Sequence, residues 1–145
     1  MEKRKKIKED YEKKFQEKLD FLNDEQREAV ETIEGPVVVV AGPGTGKTQI
    51  LTLRIANILK EMGAEFAPNI LALTFTNAGV HAMRKRLAEF IGSELAYQVG
   101  IFTFHSFADE QIRNNPEVFK NFAFSRPITD IQKIEIIEEI LEKGK

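Results

Sequence analysis

The sequence predicts an α/β fold in which helices cover a parallel sheet, followed by a helical appendage. Three observations carry that expectation. The first is a set of apolar runs that read as strands: VVVV at residues 37–40, without alternation and so covered on both faces, NILALTF at 69–75, another buried strand, and a third at 99–104, VGIFTF. The second is that stretches of helical period lie between these runs, so that strand and helix alternate as in a sheet built from crossover units. The third is a change of character beyond Pro116, where the alternation stops and one long helical stripe takes over.

Composition sets the bounds within which the elements are read. The chain has 145 residues, 42% apolar and 30% charged, which is ordinary for a soluble globular protein with a real core. A net charge of −2 gives no global attraction to nucleic acid, so any such contact must come from local groups. The absence of cysteine excludes a disulfide framework and a thiolate zinc site, and it fits a reducing cytoplasm. No apolar run has the length of a membrane span, and the charged N-terminus lacks the apolar core of a signal peptide. The expectation is a cytosolic protein with no membrane partner.

Residues 1–21 form the first element, a charged helix in which Ile7, Tyr11, Phe15 and Leu19 recur at every fourth position as one narrow apolar seam. Its basic cluster at residues 3–6 is either a solvated face or a contact for DNA phosphate. A second helix starts with Asn23 as N-cap and Gln26 three residues on, and is expected to run to about Ile33 before Gly35-Pro36 stops it. Gln26 has two possible tasks here, as the capping-box partner of Asn23 or as an amide able to donate to and accept from an adenine edge.

The strand at residues 37–40 leads into AGPGTGKT, which has the form GxxxxGK[ST] with Gly42, Gly46, Lys47 and Thr48 at its fixed positions. Gly42, Gly44 and Gly46 let the backbone come close to phosphate oxygens and turn successive N–H groups inward. A helix starting near Lys47 adds the positive end of its dipole. Lys47 is expected to reach the β- and γ-phosphates and Thr48 to ligate Mg²⁺. A Gly-rich turn with a solvated lysine is the alternative, but the strand-then-helix setting is the one the phosphate mechanism demands.

After this loop, Ile50, Leu51, Leu53, Ile55, Ile58, Leu59 and Met62 make the apolar face of a helix ending at Gly63. The strand at 69–75 is followed by Thr76-Asn77 as the cap of a helix whose Val80, Met83, Leu87 and Phe90 face inward, with Gly92 at its end. The strand at 99–104 is followed by His105-Ser106, opening a helix to about Arg113 that Asn115-Pro116 breaks. Phe119, Phe122 and Phe124 come next. A last helix begins near Asp130, where Thr129 and Gln132 can form a capping box and Ile131, Ile134, Ile137, Ile140 and Leu141 form the stripe. Asn115 is the expected boundary between core and appendage.

Taken together, these segments resemble the first part of the N-terminal motor domain of the UvrD/Rep-type superfamily 1 DNA helicases. LNDEQREAV at 22–30 resembles the Q motif, residues 41–48 the Walker A loop, the segment 71–87 containing TFTNAGVHAMRKRL motif Ia, and TFHSF at 103–107 motif Ib. The resemblance implies a partial P-loop NTPase (RecA-like) core over 22–115, preceded by the charged helix and followed at 116–145 by the start of a helical insertion. It implies ATP and Mg²⁺ as cofactors and single-stranded DNA as partner. Gln26, Gly42, Pro43, Gly44, Thr45, Gly46, Lys47, Thr48 and Gln49 would hold the nucleotide, with Gln26 on the adenine and Lys47 and Thr48 as the catalytic pair. Phe75, Thr76, Asn77, His105 and Ser106 would touch DNA, since an aromatic stacks bases without sequence preference and helix starts bind phosphate.

Bland readings stand beside these. Phe75 at a strand end can be core, His105 can cap its helix, and His81 reads as helix surface. The chain also departs from the family pattern: Pro43 stands where alanine is commoner, Gln49 where an arginine is frequent, and Ala78-Gly79 where lysine-alanine is usual.

Hydrolysis needs an acidic pair on a later strand and an arginine for transition-state charge. Asp109-Glu110 and Glu138-Glu139 both fall on expected helices. The expectation is therefore a fragment whose partner is the remainder of the helicase chain, with half of an ATP site, weak nucleotide affinity, and uncovered strand edges that lead to marginal stability or self-association. The rival readings are a small P-loop kinase, for which Arg126 is a thin lid candidate, and a non-catalytic nucleotide-binding module.

Overall fold

The structure, a computed structural model, describes residues 2–120 and 128–143, with side chains from residue 9 onward. The chain divides into two compact units, Met1–Phe107 and Ala108–Lys145.

In the first unit, α1 (Glu2–Asp20) follows from its four-residue apolar spacing, and it buries Phe15 and Leu19. Phe15 meets Phe90 edge-on with ring centroids 6.4 Å apart. The side chains of the basic cluster at 3–6 lie outside the described residues. Next comes α2 (Asp24–Glu31), which ends two residues earlier than its apolar pattern suggests, because Thr32 adopts an extended conformation and closes the helix onto the carbonyl of Glu28. Carbonyls in its last turn and just beyond it are satisfied from α3 (Lys47–Met62): Arg54 donates to Ala29 O at 2.7 Å and to Ile33 O at 3.4 Å, and Asn57 to Val30 O at 3.3 Å. These bonds fix α2 across α3.

Gly63 ends α3, and a 3₁₀ turn (Ala64–Asn69) leads into β1 (Leu71–Thr74). Then follow α4 (Asn77–Ile91), the short α5 (Ser93–Gln98), β2 (Gly100–Thr103) and α6 (Phe104–Asn114). The two strands pair in parallel with Leu71 opposite Gly100 and Thr74 opposite Thr103. Val30, Leu53, Leu87, Val99 and Ile101 are the largest fully buried apolar side chains of the core. Arg84 of α4 reaches across it to the carbonyls of Ala96 at 2.9 Å and Ile101 at 3.2 Å while lying over the Tyr97 ring. One guanidinium thus ties α4 to both α5 and β2.

The expected first strand is absent. Residues 37–40 have no regular structure, and Val38 and Val40 are 86% and 95% exposed. The reason is that a strand needs a neighbour for its N–H and C=O groups and cover for its side chains, and the two described strands pair only with each other. The described architecture is therefore mostly helical with a small parallel sheet, compatible with part of an α/β domain.

Gly79 lies against the end of β1: a Cβ there would stand 2.7 Å from Thr74 Oγ1, so a side chain at this position would require Thr74 to shift.

In the second unit, Arg113 pairs with Asp109 at 3.0 Å along α6, and Asn115 caps that helix by donating its side-chain amide to Gln111 O at 2.7 Å. Pro116 opens the one-turn α7 (Pro116–Phe119). The last helix, α8 (Asp130–Lys143), starts with the reciprocal Thr129 and Gln132 bonds of a capping box. Its stripe of Ile131, Ile134, Ile137, Ile140 and Leu141 is exposed. Phe122, Phe124 and Arg126 lie outside the described residues. No helix among the described residues is long and apolar enough to cross a membrane.

Candidate nucleotide and nucleic-acid site

Local chemistry builds the loop at residues 41–48 from two sides. On one side, Asn23 caps α2 through Oδ1, which accepts from Gln26 N at 2.8 Å, while Gln26 Oε1 accepts from Asn23 N at 3.2 Å. The rest of the Gln26 amide remains available, and its Nε2 donates to Thr45 O at 3.4 Å. Capping and attachment to the loop are therefore performed by one side chain, with oxygen and nitrogen used separately.

On the other side, α3 begins directly from Gly46, whose φ of 83° is left-handed and strained for other residues. No side chain caps α3, so the first-turn N–H groups and the positive end of the helix face the loop without an internal anion. Gly44 is also left-handed, and a Cβ at either glycine would meet nothing within 4 Å. The loop closes on itself through Thr45 Oγ1, which donates to Gly42 O at 2.8 Å. The Lys47 ammonium donates to Ala41 O at 3.0 Å and also to Gly42 O. Lys47 is exposed, while Thr48 and Gln49 are half-buried in the first turn of α3. These groups suit a phosphate and its cation: an uncapped helix start, open space over Gly44 and Gly46, an exposed ammonium and a neighbouring hydroxyl.

A second group sits at the carboxyl ends of β1 and β2. Phe75 is 85% exposed, which removes it from the core. Thr76 caps α4 by accepting from Gly79 N at 3.0 Å, and Asn77 is the first, exposed residue of that helix. His105 is exposed in the first turn of α6. Ser106 is engaged instead: its Oγ accepts from Thr103 N at 3.0 Å, and its N–H donates to Thr103 Oγ1 at 3.0 Å. This reciprocal bond holds the turn from β2 into α6.

The structure thus gathers Gln26, Gly42, Thr45 and Lys47 into one hydrogen-bonded loop. Among the described residues, no hydrogen bond links that loop to the strand-end group. Phe104 was not singled out by the motif pattern, yet its ring lies 5.1 Å from that of Phe75. A sequence signal for it exists, because Thr-Phe recurs at both strand ends and Thr74 and Thr103 are in register. A cavity of about 800 Å³ lies elsewhere, lined by Tyr11, Phe15, Leu59 and Phe90 among others, and the loop contributes nothing to it.

Comparison with known proteins gives a consistent result. The family model for the UvrD/REP helicase N-terminal domain matches residues 22–145. The ATP-dependent DNA helicase PcrA of Leuconostoc citreum is 40% identical over 104 residues, covering 70% of this chain and 14% of that protein. The protein of the same name from Staphylococcus aureus is 39% identical over 128 residues, covering 86% of this chain and 17% of its own length. That from Staphylococcus epidermidis is 39% identical over 127 residues, with coverage of 81% and 17%. The chain therefore spans less than a fifth of the length of these relatives.

Proposed function

Because this chain belongs to the UvrD/REP helicase N-terminal domain family, we propose that it supplies the nucleotide-binding loop and part of the DNA track of an ATP-dependent DNA helicase, which couples hydrolysis to movement along single-stranded DNA and to unwinding. The observation that carries this reading is the glycine loop running into the uncapped start of α3, with the Lys47 ammonium on the loop and Gln26 bonded to Thr45 O. Residues 22–115 are read as part of a P-loop (RecA-like) core, 116–145 as the start of a helical insertion, and 1–21 as a preceding helix. The cytosol is the expected compartment.

In this proposal Gly42, Pro43, Gly44, Thr45 and Gly46 wrap the phosphates of ATP. Lys47 exchanges its bonds to Ala41 O and Gly42 O for phosphate oxygens. Thr48 is the protein ligand for Mg²⁺, and Gln26 and Gln49 flank the base. The metal, when bound, would neutralise charge on the β- and γ-phosphates. Phe75, Thr76, Asn77, His105 and Ser106 line the DNA side, Thr76 and Ser106 chiefly by holding the helix starts in place.

Sustained turnover needs acidic groups that position Mg²⁺ and water. Neither of the acidic pairs that follow the loop, Asp109-Glu110 and Glu138-Glu139, suits that role. Asp109 is on α6 and paired with Arg113, and Glu139 is on α8 and paired with Lys143. The chain by itself is proposed to bind nucleotide without efficient hydrolysis.

Titration with a fluorescent ATP analogue in the presence of Mg²⁺ tests the reading. Lys47→Ala removes charge-assisted bonds worth about 1.5–3 kcal/mol, so affinity should fall roughly 10- to 100-fold. Equal affinity of the two proteins would reject the assignment of the loop. Rapid hydrolysis by the 145-residue chain, stimulated by single-stranded DNA and lost in Lys47→Ala, would reject its incompleteness.

A further inference from the structure

Phe75 and Phe104 are the residues that follow the in-register pair Thr74 and Thr103, so the two strands deliver two aromatic rings to the same end of the sheet. Both rings are in water, at 85% and 47% exposure, and their centroids are 5.1 Å apart with planes inclined by 46°. That separation is one of direct aromatic contact. An isolated Phe75 at a strand end would be free to change rotamer, and ordering it when a ligand arrives would cost conformational entropy. Contact with Phe104 restricts the ring in advance and leaves most of its surface open. Phe104 is itself anchored, because it stands between Thr103 and Ser106, whose reciprocal bonds fix the first turn of α6.

We infer that Phe104 is a positioning residue for DNA binding: it holds the Phe75 ring in the orientation that accepts a base of single-stranded DNA on its free face. This rests on the proposed DNA-track function and adds to it a residue that the motif roles leave unassigned. The occupant is a nucleic-acid base, because a flat, exposed, uncharged ring in a fixed orientation matches the π-face shared by all bases, and stacking of this kind tolerates any sequence.

The test is fluorescence anisotropy with the 145-residue chain, using a labelled short oligodeoxythymidylate and an abasic strand of the same length. Their affinity ratio isolates the base contribution from that of the backbone. The unmodified chain should favour the strand with bases, and Phe75→Leu should remove that preference. Phe104→Leu should lower affinity for the base-bearing strand about 2- to 10-fold, the range of one aromatic pair contact, with abasic affinity unchanged. Phe104→Tyr should restore the preference, and the double variant should lose no more than Phe75→Leu alone. Far-UV circular dichroism and thermal melts matching the unmodified chain certify the fold of each variant, and Phe104→Ile, with the same expected loss, carries the test if Phe104→Leu melts early. If Phe104→Leu retains the full preference while Phe75→Leu loses it, the positioning role is overturned and the DNA reading stands. If the unmodified chain fails to distinguish the two strands, base stacking on Phe75 is wrong and the positioning role goes with it.

Discussion

Residues 37–40 and Leu71–Thr74 are both short apolar runs, each followed by a loop and a helix start, yet only the second is a strand. By intrinsic preference the order should be reversed, since four consecutive valines are stronger β-formers than LALT. What separates them is supply of neighbours. Leu71–Thr74 has β2 alongside it, α4 packed against it and Ala72 buried, whereas Val38 and Val40 stand in water. Strand formation in this chain is decided by the partner for the backbone and the cover for the side chains, and apolar composition is only the precondition.

That contrast can be broken by substitution on its two sides. The largest effect belongs to the covered side. Leu87 of α4 is fully buried, and Leu87→Ala should cost about 2–5 kcal/mol in urea unfolding. A much smaller cost would mean that the sheet's helical cover is loosely packed. An intermediate effect is expected at the junction with the loop. Asn23→Ala removes a helix cap and should cost about 1 kcal/mol, while also weakening nucleotide binding through the freed Gln26. If stability falls and nucleotide affinity does not, the Gln26 bond to Thr45 O is incidental. The smallest effect belongs to the uncovered run: Val40→Ser should change stability by no more than about 0.5 kcal/mol. A loss as large as that of Leu87→Ala would show that residues 37–40 are packed after all.

The same contrast explains which features were legible in the sequence. The Asn23–Gln26 and Thr129–Gln132 boxes, the Thr76 cap and the stops at Gly63 and Gly92 all appear as read, because each depends on residues within one turn of chain. The start of α3 at Lys47 was legible for the same reason. The state of residues 37–40 was not, because it depends on a neighbouring strand that their own composition does not encode. The α8 stripe illustrates the point again: the helix was legible from its cap and spacing, but its burial was not, and the stripe is exposed. α5 is six residues long, shorter than a dependable helical repeat, and merged with the approach to β2. Phe104 was missed because helical and strand patterns locate elements one at a time, whereas its contact with Phe75 arises only once two strands are in register.

The most direct single test is amide hydrogen exchange along the 145-residue chain, with and without ATP and Mg²⁺. In the free chain, Leu71–Thr74 should be protected and residues 37–40 should exchange like open chain. Added nucleotide should slow exchange across residues 42–48, and Lys47→Ala should abolish that change. Protection of 37–40 equal to that of Leu71–Thr74 in the free chain, or a loop whose exchange ignores nucleotide, would contradict the central claim.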